Sequence, residues 1–140
     1  TSSVFTVHDA HNVNADGETY VAYVFADVEG YSKFGGYTGN GDADGPFIYT
    51  GFRPAWLMVK RTDTADNWAI YDSVRDTFNV RDSYLYVDSS QAETTYSTAI
   101  VDFLSNGFKW RGAVNFGNAS GGTYIYMAFA ESPFKYANAR

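Results

Sequence analysis

The chain has 140 residues, 45% hydrophobic and 19% charged, which suits one domain with a core of its own and excludes a disordered chain. A formal net charge of −6 argues against nucleic acid or an anionic membrane as the main partner, because both reward clustered Lys and Arg. Cysteine is absent, so disulfides, thiolate metal sites and thiol nucleophiles are excluded.

Taken in chain order, short β-rich runs bounded by Gly, Asn, Asp and Ser predict strands over 4–8, 19–26, 47–49, 55–61, 68–71, 83–87, 100–104, 108–110 and 123–130. Helical periodicity is nearly missing, with at most one short turn expected over 91–96. No apolar run is long enough to cross a bilayer. The chain does not begin with Met and no basic, apolar leader precedes the first strand, so a processed or partial chain is expected. Many short strands with frequent turns predict an all-β fold, an antiparallel sandwich of jelly-roll or concanavalin-like type, with little or no helix. Asn106-Gly107 lies between two β-rich runs and predicts a hairpin whose Gly takes the second turn position with positive φ.

One pattern occurs twice. Residues 14–26 (NADGETYVAYVFA) align with 118–130 (NASGGTYIYMAFA), with seven of thirteen positions identical and the copies 104 residues apart. The match extends upstream, where Val4-Phe5-Thr6-Val7 faces Gly107-Phe108-Lys109-Trp110 after a one-residue gap. It continues weakly downstream, with Tyr31-Ser32-Lys33-Phe34 facing Ser132-Pro133-Phe134-Lys135. The chain reads as a single sandwich domain over 1–140. Either it is internally duplicated, or residues 1–28 are the last strand motif of a preceding unit in a tandem array and 29–140 the main unit. The second reading is preferred because nothing else repeats between the copies. It expects residues 1–28 and 105–131 to occupy the same kind of structural position.

Several separated blocks carry a resemblance: Gly30-Tyr31-Ser32-Lys33-Phe34-Gly35, Tyr37-Thr38-Gly39-Asn40-Gly41, Asp44-Gly45-Pro46-Phe47, Gly51-Phe52-Arg53-Pro54-Ala55-Trp56, residues 102–109 and 118–130. Together they resemble a β-rich domain without assigned function that occurs in tail-fibre and other virion appendage proteins of tailed phages, marine ones especially. That domain often adjoins concanavalin-like regions. The resemblance implies a virion or extracellular location and a structural or adhesive module, contacting host surface glycans. It carries over no catalytic residue. The expected partners are copies of the chain itself, as trimers or end-to-end filaments. A free-standing carbohydrate-binding module and a glycan-degrading enzyme are the alternatives.

The residues themselves suggest few sites. Asn40, Asp42 and Asp44 have the N-x-D-x-D-G spacing of a calcium loop, yet the twelfth position is Gly51 where an EF-hand needs Glu, so Ca²⁺ competes with an ordinary turn. His8-Asp9-Ala10-His11 offers two imidazoles, which a strand would point to opposite faces, and a solvated loop is the simpler reading. No G-x-S-x-G, H-E-x-x-H or P-loop is present, so no enzyme is expected, although paired carboxylates on facing strands escape sequence reading. Trp56 and Trp68 are expected in the core rather than on a sugar-stacking platform. Tyr31, Tyr37, Phe52 and Tyr84 are the more exposed aromatics expected to serve glycan binding. Asn118-Ala119-Ser120 matches a glycosylation sequon, a pattern common by chance.

Overall fold

A computed structural model describes residues 4–98 and 100–132. Its strands are β1 (Ser32–Thr38), β2 (Phe47–Tyr49), β3 (Pro54–Arg61), β4 (Trp68–Asp72), β5 (Ser83–Tyr86), β6 (Thr94–Thr95), β7 (Val101–Leu104), β8 (Gly107–Trp110) and β9 (Thr123–Ala130). Two one-turn helices, α1 (His11–Asn14) and α2 (Asn115–Asn118), complete the elements. The strands form an antiparallel sandwich of a six-stranded sheet, ordered β1-β9-β3-β4-β5-β6, and a three-stranded sheet, ordered β2-β8-β7.

Alternation places the core. On β3 and β4, Leu57, Val59, Ala69 and Tyr71 point inward, and on β9 Tyr124, Tyr126 and Ala128 do so. They meet Ile48, Val101, Phe103, Phe108 and Trp110 of the smaller sheet. Rings bridge the sheets edge to face, Tyr71 with Trp110 at 5.9 Å and Phe108 with Tyr126 at 5.3 Å. Each such side chain contributes roughly 1.5–3 kcal/mol by leaving water, which suits a chain without covalent staples.

Most expected strands appear within a residue or two of their forecast bounds. β1 escaped the sequence reading because Gly35 and Gly36 weaken its β propensity; Gly35 is where the Tyr126 ring crosses, 3.0 Å from the place a Cβ would take. The hairpin joins β7 and β8, but Leu104 pairs with Gly107, so Ser105 and Asn106 are its turn residues. Gly107 is therefore the first residue of β8, not a turn residue. Its lack of a side chain serves the neighbouring strand instead, since a Cβ would lie 2.1 Å from the Ile48 carbonyl oxygen. The expected short helical turn over 91–96 holds β6 instead.

The largest departure is at the N-terminal side. Residues 4–8 and 19–26, expected as strands, pair with no strand among the described residues and lie exposed. The two copies of the repeated motif nevertheless share one local fold. α1 and α2 lie 104 residues apart, and the backbone after each is extended, at φ −74° and ψ 146° for Ala15 and φ −70° and ψ 149° for Ala119. The Tyr20 hydroxyl donates to the His11 carbonyl at 2.7 Å and accepts the Ala15 N–H at 2.9 Å. The Tyr124 hydroxyl donates to the Asn115 carbonyl at 2.7 Å and accepts the Ala119 N–H at 2.8 Å. Gly17 and Gly121 both have positive φ, +77° and +72°, in the turn that follows. Surroundings differ: β9 is central in its sheet, between β1 and β3, while residues 19–26 have no such pair of strands to enter among the described residues. Within this chain the copies thus share backbone but not position. The weaker downstream match reaches residues 133–135, outside the described residues.

Candidate functional site

The six-stranded sheet is apolar on its outer face as well. Phe34 of β1, Trp56 and Met58 of β3, Trp68 of β4, and Ile125, Met127 and Phe129 of β9 alternate with the core residues and turn away from the smaller sheet. Phe34, Gly35, Met58, Trp68, Ile125 and Met127 border a hollow of about 530 Å³, with Lys60 at its edge. Trp56 and Trp68, expected in the core, are half-buried on this face because β3 and β4 present alternate residues outward. Phe25 closes one end of the face, with its ring 5.7 Å from Phe34 and 6.1 Å from Phe129. An apolar sheet face of this kind stabilises an assembly when another surface covers it.

The Asn40-to-Asp44 loop uses its oxygens internally. The Asn40 side-chain oxygen accepts the Asp42 N–H at 3.0 Å, and an Asp42 carboxylate oxygen accepts the Asp44 N–H at 2.8 Å. Lys109 sits 2.6 Å from the Asp44 carboxylate and holds its pKa below the usual value. Among the described residues no three His, Asp or Glu side chains converge as a metal site, and His8 and His11 lie exposed. Since one side-chain oxygen of each of Asn40, Asp42 and Asp44 already serves a backbone N–H or Lys109, added calcium is expected to leave the melting temperature unchanged. A rise on adding calcium, reversed by chelator, would contradict this.

What holds this loop is Asn118, the first residue of the second motif copy. Fully buried, its side-chain oxygen accepts the Asn40 N–H at 2.9 Å, and its amide donates to the carbonyls of Asp42 at 2.9 Å and Gly112 at 3.1 Å. The sequence marked Asn118 as the head of a motif copy and part of a sequon, not as a buried side chain. The available signal was that Asn heads both copies.

The aromatics put forward for glycan binding do not form one surface. Phe52 and Tyr84 are buried, at 8% and 5% exposure, which corrects the expectation that they are exposed. Tyr84 packs against Tyr71, Tyr86 and Phe116, and burial pushes its hydroxyl pKa well up. Tyr37 stacks on Tyr124 at 5.0 Å; its hydroxyl donates to the Gly117 carbonyl and accepts from the Trp110 indole, both at 2.7 Å. Tyr31 retains an exposed ring, edge-on to Phe129. Arg81, which no sequence signal marked, is fully buried with its guanidinium 4.4 Å over the Phe103 ring, and burial lowers its pKa.

The fold defines an all-β sandwich whose larger sheet is apolar on both faces. The chain belongs to the family described as a domain of unknown function, DUF7483, whose model matches residues 1–133. No curated protein and no solved structure matches it.

Proposed function

We propose that the chain is a structural module of an extracellular filament of the tail-fibre kind, assembling through copies of itself. The outer apolar face of the six-stranded sheet carries this reading, because Phe34, Met58, Trp68, Ile125 and Met127 leave water fully only when a second surface covers them. Copies of the chain supply that surface by symmetry, each face covering another. An adhesive role toward host glycans would draw on the rings left at the surface, Tyr31 among them.

Sedimentation over a range of concentrations tests the reading. The chain is expected to self-associate, and Ile125→Lys, at a position already half-exposed, is expected to weaken association tenfold or more while the fold melts as before. Tyr49→Lys, on the smaller sheet, is the control that leaves association unchanged. A chain that stays monomeric throughout, or associates equally well with Ile125→Lys, would overturn the proposal.

A further inference from the structure

We infer that residues 4–26 are the closing strand–turn–strand of another sandwich unit of this same fold, one that precedes residues 29–130 in tandem and lacks a β9 of its own. Residues 19–26 fill its β9 place, between its counterparts of β1 and β3. This rests on the repeated motif and not on the outer apolar face, so it stands or falls separately from the self-assembly reading.

Four observations carry it. First, the local fold of the second copy is reproduced bond for bond in the first, down to the tyrosine hydroxyl that ties the one-turn helix to the following turn. That geometry forms in the first copy without any strand beside it among the described residues, so it is preset for a sheet those residues do not supply.

Second, the first copy keeps residues that lie exposed where they stand. Asn14, matching the buried Asn118, lies exposed, and Val21, Tyr23 and Val24 are 79%, 84% and 75% exposed. Such a run of bare apolar side chains on a strand-forming segment calls for burial. On the β9 pattern, Tyr20, Ala22 and Val24 would face a core and Val21, Tyr23 and Phe25 the outer face.

Third, the copies differ in a compensating way. In the second, Gly117 makes room for Trp110, whose ring lies 2.1 Å from where a Cβ would stand. In the first, Val13 replaces that Gly and Val7 replaces that Trp. A larger helix residue set against a smaller strand residue conserves volume, which matters only if the two pack together in one core.

Fourth, the junction is built as a defined corner. Asp27 accepts the Phe34 N–H at 2.8 Å and pairs with Lys33, and Ser32 donates its hydroxyl to the Ala26 carbonyl at 2.9 Å. Val28 and Ser32 exchange both backbone bonds around Gly30, whose φ is +72°. The strand that ends one unit thus turns directly into β1 of the next, and Phe25 carries its ring onto the outer face of the following sheet.

This chain cannot seat its own first copy, because β9 already occupies the place and Ala22 would leave a gap where Tyr126 crosses Gly35. The test is an extended chain in which residues 29–117 are joined directly to Asn14 of the intact 14–140 sequence. A second version carries Ala22→Tyr and Val24→Ala, so that the donor strand matches the core face of β9 in case the natural strand does not fit the added unit. Amide hydrogen exchange is read at residues 21–25. These amides should exchange freely in the original chain and become protected on the order of 10³-fold in at least one extended version, approaching residues 125–129. Failure of both versions to protect them overturns the inference. So does protection in the unextended chain, whether it grows with concentration, which would mean strand exchange between copies, or comes with loss of protection in β9.

Discussion

Replacing Asn118 by alanine is expected to destabilise the chain by about 3–5 kcal/mol, read as a lower urea midpoint at unchanged slope. The side chain is wholly buried and answers three backbone groups: the Asn40 N–H and the carbonyls of Asp42 and Gly112. Alanine removes all three partners, and each buried group left unpaired costs roughly 1–3 kcal/mol, less where water enters. Asn118→Asp should be no better, since its carboxylate would face two carbonyl oxygens where the amide donated. The matched change Asn14→Ala should lie within about 0.5 kcal/mol of the parent, because Asn14 is exposed. Equal effects at the two positions would refute this account of the motif. In the extended chain, Asn14→Ala should become costly as Asn14 takes up the role of Asn118.

The second large effect concerns Trp110 and Gly117. Gly117→Val is expected to cost about 3 kcal/mol or more, because its Cβ would sit 2.1 Å from the Trp110 ring on a helix turn tied through its carbonyl to Tyr37. Trp110→Val alone should cost about 3–5 kcal/mol, from the cavity and from the lost indole hydrogen bond to Tyr37. The double variant should be scarcely worse than Trp110→Val, a coupling of about 3 kcal/mol, since the valine then enters space the indole has left. The pairing copies Val7 and Val13 of the first motif. Simple additivity of the two single changes would show that the sites do not share one volume, and would remove the compensating-pair argument.

Much of the architecture was legible. Alternating runs such as those of β3 and β9 declare their strands because period-two burial needs no knowledge of neighbours. β1 was not, because its Gly35 answers to the Tyr126 ring, which belongs to a strand about ninety residues further on. Gly107 misled for a similar reason: Asn-Gly reads locally as a turn, whereas its constraint is the Ile48 carbonyl across the sheet. Among the aromatics, Phe52 and Tyr84 were expected at the surface, and Trp56 and Trp68, in apolar strands, were expected in the core. Which face each occupies depends on strand register and on where the second sheet lies.

By itself, the sequence determined the all-β class, most strand positions and the existence of a motif in two copies, because these follow from periodicity, turn chemistry and identity along the chain. Tertiary structure decided what the copies do. The same thirteen-residue pattern is a buried central strand where β1 and β3 flank it and an exposed arm where no described strand does. A strand's apolar faces and backbone groups are satisfied only by neighbours, and the neighbours are distant in sequence.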